Sequence, residues 1–195
     1  ILFGLGETAI QKTLNDYLWG RCAIKEATYD VTHVLNGAPG SGSIYLLPSS
    51  MKSEDIARVL SEGYDVELLQ TGFYDIGEAL NLDYLFVDTH PGINEETLLS
   101  IGISNTLVLI LRPDQQDYLG TAVVLEVADN LDVPQILLVV NKILPDFDLD
   151  TLRQKAENAY ERPVAGLLPL TTELMRLGSQ GIFCLQYPDH PVSQE

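Results

Sequence analysis

The stretch Asp83-Tyr-Leu-Phe-Val-Asp88-Thr-His-Pro-Gly92 decides how the chain is read. Four apolar residues run into an aspartate, and a proline and a glycine then break the chain. Apolar character on both faces is the pattern of a parallel strand covered by helices on either side, so residues 84–87 predict a buried strand with Asp88 at its tip.

The same pattern recurs downstream. Residues 106–111 (TLVLIL), 135–140 (QILLVV) and 163–168 (PVAGLL) are further apolar runs, separated by segments of helical period. Asn94 can cap one helix with Glu95 and Glu96 in its first turn, residues 120–131 fit a second, and Asp150 can cap a third that runs to Tyr160. This βαβαβα order predicts an α/β fold of three layers, a mostly parallel sheet with helices on both faces and right-handed crossovers. Upstream, residues 13–19 read as a helix and 44–47 as a strand. Val66, Leu69, Phe73, Ile76 and Leu80 recur at helical spacing and predict an amphipathic helix that delivers the chain to Asp83.

Bulk properties narrow the function. A chain of 195 residues with 46% hydrophobic content can bury one sizeable core, which predicts a single domain over residues 1–195. Its net charge of −17 repels nucleic acid and anionic lipid alike, and its eleven Lys and Arg are scattered, so no direct nucleic acid partner is expected. Cys22 and Cys184 lie far apart, without the paired spacing of a zinc or iron-sulfur site, which points to a reducing, cytoplasmic setting. No apolar run approaches the ~20 residues of a membrane span.

Polar residues collect where the apolar runs end: Pro48-Ser49-Ser50, Asp88-Thr89-His90, Arg112-Pro113-Asp114, Asn141-Lys142 and Pro169. Ligands of open parallel sheets bind outside the carboxyl ends of the strands, so five such tips predict a site on one edge. An acidic residue closing an apolar strand is the Walker B arrangement, in which the carboxylate holds Mg2+ through water beside a nucleotide's phosphates. Asp88 fits that role; the competing reading is a cap for the helix that follows. Gly92, after Pro91, tolerates the sharp turn and close approach that sensing a γ-phosphate requires.

Asn141-Lys142 resembles a base-reading strand end. A guanine reader of the NKxD type needs an aspartate where Leu144 stands, and the GTPase DxxG needs a glycine where Pro91 stands. An asparagine amide donates and accepts, which matches the N7 and N6 edge of adenine, so Asn141 is the candidate adenine contact. A turn asparagine is the alternative. The glycine-rich Gly37-Ala-Pro-Gly-Ser-Gly42-Ser43 is not a phosphate cradle. Ser43 occupies the lysine position, and the loop leads into a strand rather than a helix.

With a magnesium-type aspartate, a base-type asparagine and no phosphate cradle, the chain resembles the MinD/ParA family of deviant Walker A P-loop ATPases, and its MinD-like branch most closely. The resemblance rests on Ile1-Leu-Phe-Gly-Leu, Tyr45-Leu-Leu-Pro-Ser-Ser, the 83–92 stretch, Leu109-Ile-Leu-Arg-Pro-Asp, Leu138-Val-Val-Asn141-Lys and Val164-Ala-Gly-Leu-Leu-Pro169, in family order over nearly the whole chain. It implies that Asp88 is the Walker B residue for Mg2+, that Thr89, His90, Pro91 and Gly92 form switch II, and that Asn141, Lys142 and Pro169 bind adenine. It further implies an ATP-dependent homodimer, a protein activator of hydrolysis, and a role in positioning division machinery, chromosomes or other cargo.

The lysine-bearing Walker A loop, its helix and the central strand of the sheet would precede Ile1. About 50 residues, somewhat more than one βαβ unit, are therefore expected upstream, as the initial Ile1 in place of methionine also suggests. The alternative is a nucleotide-free, inactive remnant that serves as an interaction module. Paired cysteines of a cluster-carrier ATPase and a tyrosine-rich tail of a tyrosine-kinase relative are both missing from the sequence. No basic amphipathic segment is present either, so peripheral membrane attachment would need an anchor outside this chain.

Overall fold

A computed structural model describes residues 2–35, 42–89, 92–93 and 95–194. The chain divides into two compact units, Ile1–Phe86 with Ser179–Gln186, and Val87–Gly178 with Tyr187–Glu195.

In the first unit, helix α1 (Leu14–Leu18) starts at a capping box. The Thr13 backbone N–H and hydroxyl both reach Asp16 Oδ2 at 3.0 Å. Strands β1 (Tyr29–Asp30) and β2 (Tyr45–Leu46) form a short antiparallel pair. Helix α2 (Ser53–Glu62) buries none of its residues, whereas α3 (Val66–Leu80) buries Leu69, Gly72 and Ile76. Asp65 caps α3 by accepting from Leu68 N at 3.0 Å. Gly72 has a steric reason. A Cβ there would lie 2.6 Å from Tyr17 Cε1 and 2.7 Å from Ile24 Cδ1, so glycine lets Tyr17 cross the helix and donate its hydroxyl to Leu68 O. The helical period at 66–80 was legible for this reason: one face meets a core.

The second unit carries the parallel sheet, ordered β3 (Thr106–Leu111), β4 (Gln135–Ile143) and β5 (Val164–Pro169). Helices α4 (Glu95–Gly102), α5 (Gln115–Asn130) and α6 (Leu149–Tyr160) precede and separate these strands. Leu111, Leu138, Val140 and Ile143 are all but inaccessible and pack with Ile101, Leu125, Ala128, Leu152 and Ala156 in one core. Helices α7 (Thr172–Leu177), α8 (Phe183–Gln186) and α9 (Pro191–Gln194) follow.

Three expectations are corrected. Residues 84–87 are not a strand: they are unpaired, with Tyr84 79% and Phe86 88% exposed. An apolar run becomes a strand only when a neighbour supplies ladder partners, and none of the described residues pairs with this one. Helix α6 begins after Asp148, which accepts from Thr151 N at 2.8 Å, rather than after Asp150. Helix α5 starts at Gln115, five positions earlier than its apolar spacing implied, because Asp114 takes the cap and accepts from Asp117 N. Asn94 and residues 37–41 of the glycine-rich loop lie outside the described residues.

The sheet is covered unevenly. On β3, Leu107, Leu109 and Leu111 turn toward the core, while Val108 and Ile110 leave 48% and 62% of their surface exposed. Among the described residues strand β3 is also an edge, paired on one side by β4. A parallel strand with two apolar faces is normally covered on both.

Candidate nucleotide site at the carboxyl rim of the sheet

Parallel pairing sets the rim. Leu111 of β3 pairs with Val140 of β4, which places Arg112 level with Asn141. Asn141 pairs in turn with Leu168 of β5, and Ile143 with Pro169. The structure thus brings together Arg112, Asn141, Lys142 and Pro169 from three separate parts of the sequence.

Asn141 lies within β4, two residues before its end. Between Asn141 and Ile143 the register slips, and Lys142 adopts φ 57°, a left-handed conformation that absorbs the extra residue of a bulge. Asn141 Oδ1 accepts from Lys142 N at 2.8 Å, which leaves the amide NH2 as the group offered to a ligand. Beyond the bulge, Ile143 is 1% exposed and its carbonyl accepts from Leu170 N at 2.8 Å, which pins the exit of β5 to that of β4.

Arg112 is clamped. Its backbone N–H and Nε donate to Asp117 Oδ2 at 2.9 and 3.0 Å, Nη2 donates to Asp117 Oδ1 at 3.2 Å, and Nη2 also lies 3.2 Å from Asp114 Oδ2. The side-chain hydrogen bond from Arg112 holds the Asp117 carboxyl below its ordinary range, against the opposing effect of burial. Arg112 and Asp114 were legible as strand-tip residues, but the partnership with Asp117 was not. Its signal is the spacing of Asp117, three residues past the cap.

Asp88 and Thr89 are exposed and follow the unpaired 84–87 segment, so the structure does not set Asp88 at the tip of a sheet strand. The reason is the missing ladder described above. Gly92 has φ 107°, a conformation L side chains rarely adopt, as a sharp turn after Pro91 requires. His90 and Pro91 lie outside the described residues.

A hollow of about 370 Å³ in this unit is lined by Ala122, Leu125, Glu126, Asp129 and Tyr160. These residues belong to α5 and the C-terminal end of α6. There Tyr160 stacks on Tyr118 with centroids 5.7 Å apart and donates its hydroxyl to Tyr118 O at 3.0 Å. Burial pushes the Tyr160 phenol up to about 12. No group of three or more His, Cys, Asp or Glu among the described residues could hold a metal ion. A single carboxylate such as Asp88 suits Mg2+, which keeps several waters and takes one or two carboxylates together with substrate phosphates. Asn141 thus offers a donor of the kind a base accepts, Asp88 is an exposed carboxylate that follows no sheet strand, and the 195 residues contain no lysine-bearing glycine loop for phosphates.

A parallel sheet flanked by helices, in this order, is the P-loop NTPase-like α/β fold of the MinD/ParA ATPases. Among solved structures, the MinD cell division protein of Aquifex aeolicus superposes with a TM-score of 0.76 at 18% identity, covering 98% of this chain and 74% of that one. A ParA family ATPase from Chlorobium tepidum TLS superposes with a TM-score of 0.72 at 18% identity, over 99% of this chain and 75% of that one. Another similar structure is a MinC:MinD cell division protein complex from Aquifex aeolicus, with a TM-score of 0.73 at 18% identity, over 96% of this chain and 71% of that one. An uncharacterised ATP-binding protein of Methanocaldococcus jannaschii is 25% identical over 184 residues, 93% of this chain. The match spans 63% of that relative's length. No family model matches the sequence. No described helix is long and apolar enough to cross a membrane.

Proposed function

We propose that this chain is the larger part of a MinD/ParA-type ATPase, an ATP-dependent dimerisation switch that positions division machinery, chromosomes or other cargo in the cytoplasm. The observation that carries the proposal is the rim itself, where Arg112, Asn141 and Pro169 share the carboxyl edge of a parallel sheet. The ATP-binding relative and the MinD-like fold support it. In this reading Asn141 donates from its NH2 to adenine N7, Lys142 and Pro169 border the base, and Asp88 holds Mg2+ through water. Thr89, His90, Pro91 and Gly92 form the switch that responds to the γ-phosphate. The bound metal ion would neutralise charge on the phosphates. ATP binding drives homodimerisation, and a protein activator stimulates hydrolysis. Membrane attachment, where it occurs, is peripheral.

The phosphates call for a segment not among these residues. We propose that the polypeptide as encoded supplies a lysine-bearing loop together with a further strand against β3. The open face at Val108 and Ile110 and the unpaired apolar run at 84–87 both favour this. A second reading, a nucleotide-free interaction module, is favoured by the lack of a phosphate cradle in the 195 residues.

Calorimetry of the encoded polypeptide with ATP and Mg2+ decides between them. Binding should weaken about tenfold on Asn141→Ala, the scale of one lost hydrogen bond to the base, and should lose its Mg2+ dependence on Asp88→Ala. Equal affinity for ATP and GTP removes Asn141 as an adenine contact; no binding of either favours the interaction module.

A further inference from the structure

Helix α2 is amphipathic, yet it lies on the fold with its faces inverted. At about 3.6 residues per turn, Ile56 and Leu60 share one face and Arg58 lies nearly opposite them. The charged face is the one held by the protein. Asp55 accepts from the Ser50 hydroxyl at 2.5 Å, the Arg58 guanidinium carbon lies 4.6 Å from the centre of the Trp19 ring, and Arg58 Nε donates to Glu62 at 2.7 Å. The apolar face is left to solvent, with Ile56 46% and Leu60 78% exposed, and Met51, just before the helix, 85% exposed. A surface helix ordinarily turns its apolar stripe to the core. Apolar side chains grouped on one face in this way mark an interaction surface, unlike apolar residues scattered singly.

Charge selects the occupant. Residues 10–29 and 51–62 hold Lys12, Arg21, Lys25, Lys52 and Arg58, five of the eleven Lys and Arg, against five carboxylates, so the whole net charge of −17 lies elsewhere in the chain. Salt limits repulsion between exposed charges to ~8 Å, and the local balance therefore decides which faces of an acidic protein can meet. A neutral patch gives an anionic lipid surface no net attraction, while the carboxylates of the rest of the chain repel it. A strongly basic partner is drawn to those carboxylates rather than to this face. A second copy fits both properties of the patch. Its α2 brings the same apolar stripe, and across a two-fold axis the Lys52 and Arg58 cations of each copy have the Glu54 and Asp55 carboxylates of the other as partners.

The ten residues of α2 extend about 15 Å, too little to bury the ~1,200 Å² of a stable interface alone. The helix therefore adds to an interface formed elsewhere. We propose that the outward face of α2, through Met51, Ile56 and Leu60, docks against a second copy of this chain in the ATP-dependent dimer. The inference rests on the dimerisation proposed above and names one face that the dimer buries.

The test uses sedimentation of the encoded polypeptide over a concentration series with ATP and Mg2+, alongside calorimetry. Leu60→Ser should weaken the dimer about tenfold, because each dimer loses two apolar anchors, while ATP binding persists. Its urea midpoint should match that of the parent, since α2 buries none of its residues. Leu60→Cys, with Cys22 and Cys184 replaced by serine, should cross-link to a second copy through a short bis-maleimide when ATP is present. A dimer indifferent to Leu60→Ser, or a Leu60→Cys protein that does not cross-link, would overturn the proposal and leave the dimer standing. An unmutated protein that binds ATP and stays monomeric would remove the dimer itself, and the proposal with it. Binding to anionic phospholipid vesicles that Leu60→Ser abolishes would assign the face to lipid and overturn the proposal as well.

Discussion

Replacing Val108 and Ile110 together by alanine measures whether the open face of β3 is open in the encoded protein. The two substitutions remove two and three methylene-sized groups, each worth about 0.8 kcal/mol when fully buried. With 48% and 62% of these side chains in solvent, only the remainder is lost from the structure as it stands, roughly 2 kcal/mol for the pair. If a further strand and its helix cover this face, all five groups are buried and the loss rises to about 4 kcal/mol, before any term for the cavity left behind. Urea unfolding of the encoded polypeptide separates the two values, because a difference of about 2 kcal/mol is several times the usual error in comparing midpoints at constant slope. Amide exchange supplies an independent reading, since covered β3 amides should exchange only on global unfolding. A loss near 2 kcal/mol with β3 amides that exchange freely on their unpaired side would refute the proposed strand.

Two further substitutions probe the second unit. Asp117 carries a depressed folded-state pKa, so its pairing with Arg112 stabilises the protein above the ordinary carboxylate range and is lost as pH falls below about 4. Asp117→Asn should flatten the decline of the urea midpoint in that acid window; an unchanged slope would show that the clamp contributes nothing. The raised pKa of Tyr160 acts at the other end of the scale: above pH ~10 the unfolded chain ionises first, and stability falls until the folded phenol titrates at about 12. Tyr160→Phe should remove that alkaline decline and cost about 1 kcal/mol at neutral pH for the hydrogen bond to Tyr118 O. A midpoint unaffected at either pH would count against both effects.

The three sheet strands were legible because 106–111, 135–140 and 163–168 are apolar runs bounded by helical segments, and each of them found a parallel neighbour. Their pairing then brought Arg112, Asn141 and Pro169 to one rim, three of the five tips the strand-tip argument expected; Ser50 follows an antiparallel strand of the first unit, and Asp88 follows no sheet strand. The bulge at Lys142 was not legible. It is a backbone event at a residue with φ 57°, and lysine carries no mark of it, yet it turns the Asn141 carbonyl oxygen onto its own chain. Nor could sequence choose between Asp148 and Asp150 as the cap of α6, since either aspartate can accept from a backbone N–H three positions on. Starting earlier adds intrahelical bonds and leaves Leu152 and Ala156 in the core, so the earlier aspartate prevails.

The segment 84–87 is the most instructive miss, because its composition is as strand-like as that of β3. Hydrophobicity describes what a segment would gain from burial; strand formation also requires another backbone at about 4.8 Å to accept from its N–H groups and donate to its C=O groups. The same deficit is visible on β3, which keeps its strand form only because β4 pairs with one side of it and still leaves Val108 and Ile110 uncovered. Two apolar segments that each lack a neighbour have a common explanation in one further strand, apolar on both faces. Asp88 follows directly on the first of these segments, so whether it can serve a metal ion depends on whether that strand exists. The alanine pair on β3 therefore tests the Mg2+ assignment as much as it tests the sheet.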